Sequence, residues 1–261
     1  MTFEERSRAI IWFAAMLGIL TLLVAGTTPA LGQRKSFHVL AFYSTNVEQD
    51  HVDFALQAIP FFRAMAKRDR FEFAATTNWD EMNAKVLSHY QVILWLDDVP
   101  QKPAQRKAFE SYMQHGGAWL GFHIAGYLSG RQEWPWFADF LGTVFSGNSW
   151  PPLPARVVVD DPSQPAMRGL PATYVSPANE WYSWKPDPRN RPGIRALMTL
   201  APSDFPLGFK DTLVAGDDVP VVWTNTRYKM IYANMGHGNV IFTSPDQNHF
   251  FENALLWLGG Q

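Results

Sequence analysis

The chain has 261 residues, of which 47% are hydrophobic and 15% aromatic, and its 22 basic and 24 acidic side chains leave a net charge of −2. A near-neutral chain with 18% charged residues lacks the basic field that holds a phosphate backbone, which argues against nucleic-acid binding, and 11 Trp with 19 Phe argue against disorder. The absence of cysteine excludes disulfides, thiolate metal sites, a lipid-bearing N-terminal Cys and any Cys nucleophile.

The first elements are a basic start at Arg6 and Arg8, an uncharged apolar run from Ala9 to Gly26, and a small-x-small end at Ala30 and Gly32. This is the three-part pattern of a secretory signal over residues 1–32, with cleavage expected after Gly32. The run is also just long enough to span a bilayer, so an uncleaved anchor is the competing reading. Either way the folded part is expected outside the cytoplasm, periplasmic or secreted, with membrane contact only if the segment stays attached.

Beyond it, strand and helix alternate. His38–Tyr43 is a short apolar run of buried-strand type, and Val52–Ala66 has helical spacing with Pro60 as a kink. Phe71–Ala75 predicts a second strand, Asp80–Leu87 a short helix and Val92–Leu96 a third strand. Pro103 opens a helix that runs to Gln114 and stops at Gly116-Gly117, and Ala118–His123 is a fourth strand. This order argues an α/β fold with a mostly parallel sheet and helices on both faces. After residue 145 prolines cluster. Long loops between short strands such as Ala155–Val159 and Ile194–Leu200 are expected there, as an insertion on one sheet. Order returns at Val219–Trp223, Met230–Asn234 and a closing helix near His249–Leu258.

In an open parallel sheet, ligands sit beyond the carboxyl ends of the strands. The polar residues there are Ser44, Thr45, Asn46, Glu48, Asp50 and His51 after the first strand, Asp97 and Asp98 after the third, His123 at the end of the fourth, and Asn234 to His237 after a late one. Histidine moves protons near neutral pH or ligates metals. His51 reads equally well as a helix-start residue, whereas His123, after Gly121, ends a strand where a tight turn lets a side chain project into a cleft. His38, His89, His115 and His249 read as structural or surface residues. Glu180, beside Trp181 and Tyr182, is a carboxylate whose aromatic neighbours would raise its pKa, or else a solvated loop acid. Trp134, Trp136, Trp150, Trp181 and Trp184 could wall a sugar site, although core filling is the ordinary role of such rings.

Several stretches together resemble the ThuA-like (trehalose utilisation) family of the class I glutamine amidotransferase-like superfamily. Gly116-Gly117-Ala118-Trp119-Leu120-Gly121-Phe122-His123 is similar to the family's glycine-rich strand ending in G-[IF]-H, and Trp134-Pro135-Trp136-Phe137 with Phe140-Leu141-Gly142 to the helix that follows. Asp161-Pro162, Pro165-Ala166 and Gly169-Leu170-Pro171 match a D-x-x-H-P-A-x-x-G-L-P pattern, with Gln164 at the histidine. Glu180-Trp181-Tyr182 matches E-W-Y, and Pro220–Trp223 with Met235-Gly236-His237 the closing strands. The likeness runs from Phe37 to Gly259. It implies a flavodoxin-like fold with a Pro- and Trp-rich loop insertion. Many members carry Gly-His-Pro near Gly147-Asn148-Ser149; Asn148 can hydrogen bond there but cannot act as a base.

Superfamily members that release ammonia from glutamine carry a Cys at the turn after this strand. Here the turn offers His123, and without Cys thioester chemistry is excluded. The resemblance implies an exported enzyme acting on a small carbohydrate or an oxidised (keto) sugar derivative. His123, Glu180, His237 and His51 are the expected catalytic residues, one acting as base and another as acid. Asn46, Asp97, Trp181, Trp134 and Asn148 are the expected substrate contacts. The paired carboxylates of an ordinary glycosidase are not evident. Two histidines with Glu180 would suit zinc or manganese, yet no short His-x-x-x-His pair marks a site, so no metal ligand is assigned and the cofactor stays open. The alternatives are a non-catalytic carbohydrate-binding or scaffold protein of the cell envelope and, if the N-terminus is uncleaved, a membrane-anchored interaction domain. The sequence does not give the oligomeric state.

Overall fold

The structure is a computed structural model that describes residues 36–201 and 219–261. The signal or anchor expected over residues 1–32 lies outside the described residues. Among the described residues no helix is long and apolar enough to cross a membrane.

The apolar runs His38–Phe42 (β1), Val92–Trp95 (β3) and Ala118–Phe122 (β4) are strands with both faces covered, apart from exposed His38 at the start of β1. With Glu72–Thr76 (β2) and Lys229–Ala233 (β11) they make five parallel strands in the order β2-β1-β3-β4-β11. Pro220–Asn225 (β10), Ile194–Leu200 (β9), Leu153–Val159 (β6) and Thr173–Asn179 (β7) continue the same sheet as antiparallel neighbours, so it has nine strands. The expected α/β fold is present, and the strands expected at Ala155–Val159 and Ile194–Leu200 fall in β6 and β9, while Thr173–Asn179 adds a strand where a long loop was expected. Pro177 lies in β7, the edge strand, where its missing N–H need not break a ladder bond. Val144–Asn148 (β5) and Tyr182–Lys185 (β8) form a separate two-stranded antiparallel ribbon.

Side chains alternate across the strands and feed two apolar layers. Val39, Ala41, Leu94, Leu120, Phe122 and Ile231 pack with Phe54 and Phe62 of α1 (Gln49–Asp69) and Phe250 and Phe251 of α5 (Pro245–Leu258). Leu40, Phe42, Ile93, Trp95, Trp119 and Tyr232 pack with Leu87 of α2 (Ala84–Leu87), Phe109 and Met113 of α3 (Pro103–Gln114) and Phe137 of α4 (Pro135–Leu141).

Boundaries differ from expectation where polar side chains compete with the backbone. The helix expected over Asp80–Leu87 splits in two. Asn78 caps a 3-10 turn at Trp79–Glu81, and the Asn83 side chain accepts the Val86 N–H to start α2 afresh. The first helix starts three residues early because the Glu48 side chain caps it, and Pro60 lies within it.

Candidate active site and metal centre

Four loops at the carboxyl ends of the strands meet. His51 sits in the first turn of α1, His123 follows β4, Glu180 joins β7 to β8, and His237 follows β11. The three imidazole ring centroids lie 5.2 Å from one another in every pairing, an equilateral triangle. Glu180 Oε2 is 3.1 Å from His123 Nε2 and 3.9 Å from His237 Nε2. One ligand-type atom from each of the four residues falls within 4.8 Å of all the others.

Local backbone chemistry puts these groups in place. His123 has φ +44°, a left-handed conformation that costs a side-chain-bearing residue energy and turns the chain sharply at the end of β4. Gly236 makes room for it, since a Cβ there would stand 2.7 Å from the His123 Cβ. Two buried asparagines tie the loops together. Asn179 Oδ1 accepts the Gly236 and His237 N–H groups at 3.1 Å each, and its amide donates to the Glu180 carbonyl at 2.7 Å. Asn234 Oδ1 accepts the Tyr182 N–H at 3.1 Å.

The hydrogen bonds assign the tautomer of His123. Its Nδ1 is 3.0 Å from the Asn234 carbonyl, which can only accept, so Nδ1 carries the proton. The Asn234 amide also approaches Nδ1 but has Tyr232 Oη as an acceptor, and that hydroxyl itself donates to the His123 carbonyl. Nε2 therefore presents a lone pair toward the Glu180 carboxylate. Two acceptors face each other across 3.1 Å, an arrangement that needs a proton or a cation between them. A ring N–H held by a backbone carbonyl is also the support that metal-ligating histidines use.

Burial keeps His51 and His123 neutral. Desolvation, reinforced by His123 and His237, pushes His51 down to about 3. Burial and the neighbouring His237 hold fully enclosed His123 well below the usual imidazole range. Burial raises Glu180 above the usual carboxylate value, against the pull of His237 and His51. Buried His51 Nε2 and His237 Nδ1 have no hydrogen-bond partner among the described residues. Three imidazoles with a carboxylate form a donor set for zinc, manganese or iron(II), since a divalent ion would take up the lone pairs that these groups turn toward one another.

A family model described as trehalose utilisation, ThuA, matches residues 38–258. The chain belongs to the ThuA family. It is similar to a protein described as ThuA-like from Bacteroides uniformis, at 43% identity and a TM-score of 0.81 over 85% of this chain and 91% of that one. A second protein described as ThuA-like, from Parabacteroides merdae, shares the fold at 16% identity and a TM-score of 0.63 over 87% and 91%. A protein described as a GMP synthase subunit from Thermoplasma acidophilum shares the fold alone, at 8% identity and a TM-score of 0.50 over 87% and 96%. No curated protein matches the chain in sequence.

Of the residues singled out in this ThuA chain, His51, His123, Glu180 and His237 come together. Asn148 joins them by donating a short hydrogen bond to Glu180 Oε1. Trp181 and Trp134 do not fit the substrate contacts expected of them. Trp181 is 0% exposed and donates to the Leu153 carbonyl, while Trp134 is 5% exposed, donates to Glu110 and stacks on Phe137. Both rings went inward because their apolar area is worth more in the core. Asp97 is sealed as well. Its Oδ1 accepts the Ser44 N–H at 2.7 Å, and burial pushes its carboxyl up to about 8, so it fixes the β1–α1 connection rather than facing a cleft. Asn46 is exposed in that connection.

Sequence reasoning gave no site role to Glu48, Asn179 or Asn234, although Glu48 and Asn234 were among the polar residues at strand ends. Glu48 places Oε2 3.4 Å from His237 Nε2 and 3.6 Å from His51 Nδ1, with half its side chain open to solvent. Its signal was a helix cap three residues before a histidine. Asn179 and Asn234 end strands as amides, a pattern common to any loop. Trp150 was one of five tryptophans named as possible walls of a sugar site, with no signal in the sequence that set it apart from the other four.

Proposed function

We propose that this chain is an exported enzyme that acts on a carbohydrate or keto-sugar derivative, with the three imidazoles and Glu180 as its reacting centre. The carrying observation is the lone pair of His123 Nε2 facing the Glu180 carboxylate inside a triangle of imidazole rings. His51, His123 and His237 would hold a divalent cation, which when bound supplies Lewis acidity toward a substrate oxygen. Glu180 acts as the base. Raised by burial above the usual carboxylate range and steered by the Asn148 amide, its carboxylate takes the proton from a carbon next to a carbonyl. The electron pair of that C–H bond moves to the carbonyl oxygen, and Glu180 returns the proton in the second half of the reaction. The β4 turn and the buried asparagines hold these groups without reorganisation, where preorganised charge is most effective.

The test is proton exchange in deuterated water. Protein purified without an affinity tag should carry close to one equivalent of divalent metal and incorporate deuterium into a keto-disaccharide. Glu180→Gln should keep the metal and lose at least about a hundredfold in exchange rate, the usual worth of a general base. His123→Ala should lose metal and exchange together. Saccharide binding by the wild type with no exchange and no product would favour the non-catalytic binding reading.

A further inference from the structure

Among the described residues, Trp150 is the tryptophan most open to solvent, at 49% exposure. Its indole stands edge-on to the His237 ring, centroid to centroid 6.4 Å with the planes at 87°. The ring is exposed, yet its base is held firmly. The Ser149 N–H donates to the Trp181 carbonyl at 2.8 Å, and Ser149 Oγ accepts the Trp181 N–H at 2.9 Å. Two residues earlier on the same segment, Asn148 grips Glu180. One short stretch therefore carries both the amide that orients the base and a flat apolar face beside the imidazoles.

An indole left in water forgoes burial worth about 2 kcal/mol or more, so its place at the reacting centre calls for an occupant. The charge around it narrows the choice. Glu48 and Asp50 stand at His237, at 3.4 Å and 3.8 Å, and Glu180 lies beyond. No lysine or arginine forms an ion pair with these three acids among the described residues. Carboxylates that accept hydrogen bonds suit hydroxyl donors and repel anions. We infer that Trp150 is the platform on which the substrate ring stacks, and that this ring is an uncharged, hydroxyl-rich pyranose whose apolar C–H face lies on the indole while its hydroxyls donate to Glu48 and Asp50. The inference rests on the carbohydrate reading above and adds which residue binds the ring and which charge state is accepted.

The experiment uses the full-length, metal-loaded protein with trehalose, glucose and, as the anionic counterpart, glucuronate as probes, followed by saturation-transfer NMR and titration. Wild type and Trp150→Phe should transfer saturation to the ring C–H protons of trehalose and glucose, with glucuronate at least about tenfold weaker. Trp150→Ala should weaken trehalose about tenfold or more at an unchanged melting temperature. In the exchange assay it should raise KM more than it lowers kcat. Equal affinity in Trp150→Ala, a preference for glucuronate, or no binding of either neutral sugar to the wild type would overturn the platform. So would a dimer that Trp150→Ala splits into monomers, which would assign the ring to a second copy. Weakened binding by Trp150→Ala without any exchange by the wild type would uphold the platform and sink the enzymatic reading separately.

Discussion

At the scale of single residues, the site is a set of bases kept uncharged by their surroundings. His51 is pushed to about 3 and His123 well below its ordinary value, so the native protein refuses protons that the unfolded chain accepts near 6.5. Unfolding then takes up protons, and stability rises with pH through this window and drains away as pH falls below about 6.5. Glu180, raised above its ordinary value by burial, works the other way, but one carboxyl opposes two imidazoles. Thermal melts of metal-free protein are expected to drop in midpoint from pH 7 to pH 5, with a shallower slope in His51→Gln. A melting temperature independent of pH over that range would show that the rings are not buried as neutral bases. The chemistry of these residues was partly legible. His123 stood out because it ends an apolar strand after glycine, and Glu180 because of its aromatic neighbours. Trp181 misled for the same reason, since adjacency in sequence does not say which of two neighbours faces the core.

At the scale of elements, the strands with two covered faces could be read directly: Val92–Trp95 and Ala118–Phe122 are continuous apolar runs with no competing pattern. Pro103–Gln114 matched its expected bounds because proline at its start and glycines at its end leave no other register. Two strands of the second half, β5 and β7, could not be read that way. Thr173–Asn179 contains a proline, and Val144–Asn148 contains a glycine and is only half-buried, so neither shows strand periodicity over enough residues. The turns that aim the histidines depend on close approach rather than propensity. Gly236 is the clearest instance, with the His123 and Phe122 Cβ atoms 2.7 Å and 3.2 Å from where its own Cβ would be. Gly236→Ala is expected to cost about 1–3 kcal/mol, typical of forced overpacking. Zinc affinity should fall with it, because the displaced atom belongs to a ligand. Denaturant melts and a zinc-chelator competition measure the two effects. Full stability with unaltered metal affinity would mean that the β4 and β11 turns are not coupled.

At the scale of the whole molecule, a five-stranded parallel half supplies the rim that receives the imidazoles, and an antiparallel half supplies the carboxylate from its far end. The alternation of strands and helices made the first half foreseeable. In the second half the strands at Ala155–Val159, Ile194–Leu200, Val219–Trp223 and Met230–Asn234 were foreseeable, but their pairing was not, since they find their partners across long stretches of chain. Export remains part of the proposed reading. Protein expressed from the full gene is expected to appear outside the cytoplasm with Gln33 as its first residue, by N-terminal sequencing. Recovery with Met1 intact and associated with membranes would replace cleavage by anchoring.

The ribbon of β5 and β8 stands apart from the nine-stranded sheet, yet Glu180, Asn148 and Trp150 all lie at its ends while the histidines hang from the sheet or from α1. The grip and the palate of this protein thus have separate mountings. On the proposed reading, changes confined to a few ribbon positions would alter which sugar is tasted without loosening the hold of the histidines on an ion, so closely similar scaffolds would serve different diets.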